Sequence, residues 1–368
     1  GLPEEKASGT NVMPSLRTIK QITRLYATSS TKFISHHGKE GARRYLQLSK
    51  LGMKYQKDLA SRLLPFPKTQ LRCLGALYLT YDTASIPELE EEFELLQELG
   101  CSDIEFWRKP KLLATPGCPP LAEAAIFLPE DAIIDSAQYA TCLLKAAAAR
   151  GNVQVFANCP EVTKVWTEHT TTTTTAITEL SNSARIVSQH CVVATGGFFL
   201  DSTLAGILTP AWSYLVGIPH PELSTIHKKD LLHSNISTES STLFLSDGTP
   251  YNSCNFYTWG FTHDWCWTEG AIRVSGEDHF SAFKPPRTEE RCLSLANWIG
   301  RSFPNVFPHD DPHPEHLHPF QCGVYSETPD SCPLVGHINP NSRICYIVGC
   351  NAWGQSCLSY SATLILPY

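Results

Sequence analysis

No run in this sequence is long and apolar enough to cross a bilayer, no block gathers lysine and arginine, and no cysteines fall in C-x-x-C spacing. Each lack removes a class of function. Apolar runs such as 191–195 and 343–349 are strand-sized, against the roughly 20 residues a membrane helix needs. The chain is therefore expected to have no transmembrane segment. A net charge of −7 without a basic face leaves nothing to neutralise phosphates, so nucleic acid is not an expected partner. The 14 cysteines are scattered, and several (Cys73, Cys142, Cys191, Cys345) sit in apolar runs, where a free thiol behaves as a small hydrophobe. That usage points to a reducing, intracellular compartment, mitochondrial or cytoplasmic. The chain opens Gly1-Leu2-Pro3 with no apolar signal-peptide core, which fits a processed or truncated start.

What is present is an ordinary globular composition, 42% hydrophobic and 18% charged over 368 residues, enough for two domains and a sizeable core. Helical periodicity is expected over Leu16–Tyr26 and Gly41–Leu64, with Pro65 stopping the second. Leu74–Tyr81 reads as a strand. Pro87 opens an acidic helix that Gly100 closes. Asp135 or Ser136 caps a helix to Arg150, after which Val153–Phe156, Val162–Trp166, Ala176–Leu180 and Arg185–Ala194 read as strands. The threonine run 170–175 fits a solvated hairpin tip. Antiparallel strands and a helix, Thr288–Ile299, follow from about 210, then a strand Ile344–Val348 and a helix from Ser356. The pattern implies α/β architecture, with an α/β part interleaved with a mostly antiparallel part.

Three segments carry the chemistry. Cys191-Val-Val-Ala-Thr-Gly-Gly197 is an apolar strand ending in small residues (Ala194, Thr195, Gly196, Gly197) that let a backbone approach a bulky ligand. The second is Gly323-Val-Tyr-Ser-Glu-Thr-Pro-Asp330 with Pro333-Leu-Val-Gly336. The third, Val348-Gly-Cys-Asn-Ala-Trp-Gly-Gln-Ser356, is a strand entering a helix N-terminus, whose free amides and positive dipole end suit an anionic or carbonyl-rich ligand.

In this order the segments resemble the D-amino-acid oxidase, glycine oxidase and sarcosine oxidase group of FAD-dependent oxidoreductases. The T-P-D-x-x-P-L-V-G pattern at Thr328–Gly336 is the most specific of them, and the likeness runs over roughly residues 20 to 362, taking in Ala27-Thr-Ser-Ser30, Ile134-Asp135 and Val162. The resemblance implies a mixed α/β fold: a FAD-binding-like domain from 20–70, 130–205 and 320–368, and a substrate or cap domain from 71–129 and 206–319. It implies FAD contacts at Ser29, Ser30, Val162, Ala194, Thr195, Gly196, Gly197, Asp330, Gly336, Gly349, Asn351, Ala352, Trp353, Gly354, Gln355 and Ser356. Arg273 falls near a flavin-facing lysine that assists oxygen, Lys32 near a substrate-binding arginine, and Tyr325 where related enzymes carry a carboxylate clamp or a tyrosine. The implied activity is oxidation of a C–N bond of a small amine or amino acid.

The sequence also departs from that pattern. The family opens with a strand, G-x-G-x-x-G and a helix that hold the pyrophosphate; no such hexapeptide occurs here, so an N-terminal βαβ unit is expected to be missing. Gly323 stands where one branch attaches flavin through cysteine, with Cys322 one residue away. Ala352-Trp353 replaces a glycine-histidine pair, and Ser356 an active-site lysine. The alternative reading is therefore a non-catalytic, oxidase-like structural subunit of a larger assembly, such as a mitochondrial one. A strand-surface pairing of Arg273 with Glu277 or Asp278 is the plainer reading of that arginine. The cluster of His309, Asp310, Asp311, His313, His316 and His318 offers metal-capable side chains without the spacing of a helical metal site.

Overall fold

Aromatic and β-branched residues dominate the stretches that pair as strands, and the largest sheet is built from two distant parts of the chain. The computed structural model describes residues 21–66, 70–115, 118–196, 202–219, 255–260, 262–268, 271–281, 288–303 and 318–365. Three short strands, β1 (Gln21–Ile22), β2 (Leu71–Arg72) and β6 (Ala132–Ile134), pair in the order β1-β6-β2. The large sheet takes β3 (Ala76–Thr80), β4 (Glu105–Arg108) and β5 (Ala124–Leu128) from the first half. From the second half it takes β11 (Thr209–Pro219), β12 (Asn255–Thr258), β13 (His263–Thr268), β14 (Ala271–Phe280) and β15 (His318–Glu327). The order is β15-β11-β14-β13-β12-β3-β5-β4, and only the β12–β3 seam is parallel.

Each face of this sheet is covered by helix. On one, Leu77, Phe256, Trp265, Trp267 and Val274 pack against α6 (Thr288–Ser302), whose Cys292, Leu295, Ala296 and Ile299 recur at helical spacing. On the other, Tyr78, Ile126 and Leu128 lie under α1 (Ser30–Leu63) and α2 (Ile86–Glu98) through Phe33, Leu46, Leu89 and Leu96. Two further helices follow β4 in the chain, α3 (Lys109–Leu113) directly and α4 (Ser136–Ala148) after β6. Along that second face, register carries the row from Tyr78 to Tyr257, Asp264, Ser275 and Leu215. The apolar floor turns polar there.

A second unit pairs β10 (Cys191–Gly196) in parallel with β17 (Ile344–Val348), with β16 (Leu334–Gly336) antiparallel at its edge. A meander of β7 (Val162–His169), β8 (Thr174–Leu180) and β9 (Arg185–Ser188) packs on it through Val165, Ala176, Val193, Ile344 and Tyr346. α5 (Ser202–Ile207) leads into β11, and α7 (Gln355–Ile365) closes the described chain against α1. This contact needs glycine: a Cβ on Gly52 would stand 1.8 Å from the Ser356 carbonyl oxygen.

The helix Ile86–Glu98 forms as its signals predict, and the cap at Asp135 accepts from Gln138 N at 3.1 Å. The threonine run is a hairpin tip, with Thr170 N donating to Thr173 O at 2.8 Å. Three expectations need correcting. Gln21–Ile22 is a strand on β6 rather than part of a helix, because edge pairing to Ile133 and Ala132 outweighs the local periodicity. Val153–Phe156 is exposed and not a strand, since no neighbouring strand among the described residues offers it a ladder. Arg185–Ala194 breaks where Ser188 Oγ bonds His190 O at 2.9 Å, and the two pieces join different sheets. The chain from 309 to 317 lies outside the described residues. Among those described, no helix is long and apolar enough to cross a membrane, and the cysteines are free thiols.

Candidate active site

One serine ties the three motif segments together. Ser326, near the end of β15, donates its hydroxyl to Gly196 O at 2.9 Å and accepts from Gly349 N at 3.1 Å. It thus joins the end of β10 to the end of β17. Asn351 adds a second tie: its side-chain carbonyl accepts from Thr328 N at 2.8 Å, its amide donates to Gly349 O at 2.8 Å, and its own N–H bonds Ser326 O at 3.0 Å. The turn that follows holds Asn351 and Ala352 at positive φ, 48° and 65°, a conformation costly for residues with a Cβ unless their surroundings fix it. Gly349 has no alternative, because at φ +72° an added Cβ would meet Thr328 Cγ2 at 2.6 Å.

Trp353 links this turn to the large sheet. Its indole N–H donates to Asp264 Oδ2 at 3.2 Å and its ring lies 4.7 Å from that of Tyr257. Burial pushes the Asp264 carboxyl up to about 8, and its Oδ1 is buried without a hydrogen-bond partner. Beyond Trp353 begins α7, whose first turn leaves backbone N–H groups unused by the helix and a positive dipole end.

Tyr325 and Glu327 share one face of β15. The Tyr325 hydroxyl lies 2.9 Å from Asp278 Oδ2 and 3.2 Å from Glu327 Oε1. Asp278 reaches it through a β-bulge. Between Trp212 and Tyr214 the β11–β14 register shifts by an extra residue, with Glu277 at φ 56°. Plain alternation from Ser275 would put residue 277 on this face; the bulge delivers residue 278 instead. Glu277 turns to α6, accepting from Ser294 Oγ at 2.7 Å and facing Arg291 at 3.7 Å. Desolvation raises the pKa of Asp278, of Glu327 and of the Tyr325 phenol, and the two acids reinforce the rise at Tyr325. Lys32, exposed in the first turn of α1, is close enough to favour the charged form of Glu327.

Ala194, Thr195, Gly196, Gly349, Asn351, Ala352, Trp353 and Gly354 therefore converge around Ser326 and the start of α7, with Gln355 and Ser356 in its first turn. Ser356 Oγ turns inward to Thr23 O at 2.5 Å. Asp330 joins from the motif turn, where its carbonyl meets His37 Nε2 of α1 at 2.8 Å, and Gly336 ends β16 at φ 131°. Ser29 caps α1 by accepting from Lys32 N at 3.3 Å. Ser30 is already taken: its N–H lies 2.8 Å from Glu92 Oε2 and its hydroxyl 2.7 Å from Glu92 Oε1, so a carboxylate of α2 occupies that helix start. Val162 lies away from this group, at the start of β7 against the Val193–Ile344 core. Gly197 is outside the described residues.

Arg273 is on the same sheet face as Tyr325 but not beside it. It pairs with Gly217 and Tyr325 with Ala211, six positions along β11 and about 20 Å apart at strand rise. It forms no ion pair with Glu277 or Asp278, because the bulge sends one to α6 and the other to Tyr325. Sequence reasoning missed Ser326, Asp264, Asp278 as a site group, Glu327 and Glu92. Glu327 and Ser326 lay inside the Gly323–Asp330 motif; Asp264 and Asp278 depend on sheet register and Glu92 on the packing of α2 against α1, and none had a local signal.

Comparison with known proteins shows the family and the fold. Residues 20–365 match the family of FAD-dependent oxidoreductases. Glycine oxidase from Geobacillus kaustophilus superposes with a TM-score of 0.71 at 13% identity, covering 96% of this chain and 84% of that one. A modified fructosyl peptide oxidase from Aspergillus nidulans gives 0.68 at 12% identity over 96% and 80%. L-α-glycerophosphate oxidase from Mycoplasma pneumoniae, with FAD bound, gives 0.63 at 12% identity over 97% and 85%. These likenesses establish the fold. No curated protein matches in sequence.

Proposed function

Since this chain belongs to the FAD-dependent oxidoreductase family, we propose that it binds FAD where β10, β15 and β17 end and oxidises a C–N bond of a small amine or amino acid. The observation that carries this is Ser326, which gathers the Ala194–Gly196 and Gly349–Gly354 backbones beside the strand bearing Tyr325. The residues present fit the ring end of the cofactor. Small residues at Ala194, Gly196 and Ala352 leave the backbone approachable, and the start of α7 suits the carbonyl edge of a flavin. The pyrophosphate end is not supplied by Ser30, whose amide is filled by Glu92.

When bound, FAD supplies a two-electron acceptor for the hydride leaving the carbon next to nitrogen. The chain's own residues do the rest. Lys32, Tyr325, Asp278 and Glu327 line the substrate side, and either carboxyl can take the proton that the substrate ammonium must lose before oxidation. Trp353, fixed by Asp264, holds the turn facing the ring. Water then splits the resulting imine to a carbonyl compound and an amine. This convergence favours an enzyme over a structural subunit.

The test is turnover by the full-length holoprotein, followed by peroxide release and by reduction of an artificial dye. Amines or amino acids are expected to turn over with stoichiometric carbonyl formation, while glycerol phosphate and 2-hydroxy acids stay inert. Oxidation of the alcohols alone, or of no amine at all, overturns the proposal.

A further inference from the structure

The substrate side has more acid than its donors can serve. Tyr325 has one hydroxyl proton, yet carboxylate oxygens of both Asp278 and Glu327 lie within hydrogen-bond distance of it. Only one of them can receive it. On the same sheet face Asp264 keeps Oδ1 buried and unpartnered, its other oxygen bonded to Trp353. Asp264 and Asp278 are close enough that the Asp278 charge helps raise the Asp264 pKa.

Among the described residues, the cations in reach form no ion pair with this wall. Lys32 of α1 acts on Glu327 and Arg291 of α6 on Asp278, but neither forms an ion pair with them. Arg291 is committed to the Glu277 backbone oxygen at 2.8 Å and to the Tyr214 ring at 5.4 Å. Among the described residues His279 of β14 also faces Asp278, and desolvation holds it towards its neutral form. Ser213 of β11 adds a hydroxyl bond to Asp278. A substrate carboxylate entering here would meet two or three acids and one exposed lysine, which opposes binding. An ammonium brings three donors, which suit oxygens of Asp278 and Glu327 that share a single phenol proton.

We infer that the site takes dicationic amines, with one nitrogen presented for oxidation and a second ammonium held by Asp278 and Glu327, beside the buried Asp264 carboxyl. This rests on the oxidase reading for its chemistry but not for its binding step. Because a bound cation favours ionised carboxylates whose pKa values stand raised without it, affinity strengthens as pH rises through their range and then levels off.

The experiment uses the holoprotein with 1,4-diaminobutane and its N-methyl derivative against butylamine, sarcosine and D-alanine. Binding is read from the ligand-induced shift in melting temperature and from the flavin difference spectrum, separately from turnover. The diamines are expected to bind at least about tenfold more tightly than butylamine or either amino acid, the order of one well-placed charge contact. Asp278→Asn and Glu327→Gln should each weaken diamine binding by a larger factor than butylamine binding and so remove most of that preference. Asp278→Glu, which keeps the charge, should retain part of it and so separates loss of charge from misfolding. Sarcosine or D-alanine binding as tightly as the diamines, or an unchanged preference in both neutral variants, overturns the inference. Turnover of amino acids with no diamine preference would sink this inference and leave the oxidase reading intact. Diamine binding without turnover of any amine would do the reverse.

Discussion

Single buried groups set how stability should respond to pH. Asp131 is fully buried, with Thr23, Arg24 and Lys57 around it, and burial pushes its carboxyl from 3.8 up to about 7. Arg24 does not rescue it fully, since that guanidinium is bonded to Asp103 at 2.8 and 3.1 Å. The folded chain therefore keeps a proton that the unfolded chain gives up between about pH 4 and 7, and stability falls across that window and is flat above it. Asp131→Asn should melt higher than the wild type at pH 8 and nearly level with it at pH 4. An equal shift at both pH values, followed by circular dichroism, would refute this account. None of this was legible in the sequence, where Asp131 is one acid in a Pro-Glu-Asp turn; its burial comes from the packing of β1 and β6 around it.

Among the elements, β15 does the joining. Its inner face ties β10 and β17 through Ser326, and its outer face carries Tyr325 and Glu327 to Asp278. Ser326→Ala leaves the buried Gly349 N–H and the Gly196 carbonyl without that partner, a cost of about 1–3 kcal/mol. The variant should lose that much in denaturant unfolding and bind flavin more weakly, while Ser326→Thr should recover part of both. Unaltered flavin content in Ser326→Ala would remove its role. The same elements mark what a sequence reader can and cannot see. The ordered small-residue turns and the T-P-D segment were legible as one group, and the fold does bring the Gly196 and Gly349 backbones together at Ser326, because turn chemistry is written locally. The acidic group around Tyr325 was not visible, because a single bulge in β14 decides that Asp278 rather than Glu277 faces Tyr325. Arg273 illustrates the same limit: it was assigned by its place along the chain, and register sets it six positions from Tyr325.

For the whole molecule, the large sheet brings residues 76–128 and 209–327 into one wall, and the β10–β17 unit meets it at Ser326 and Trp353. On the proposed reading, that meeting point is where a flat redox ring and an amine lie together. The chain's negative balance is of the sign that draws cations more than amino-acid carboxylates. The most direct measurement is the visible spectrum of the full-length native protein, taken anaerobically before and after adding 1,4-diaminobutane. The account predicts flavin absorption near ~450 nm that bleaches on addition of the amine and returns with air; a colourless protein, or a flavin band that no amine bleaches, would contradict it.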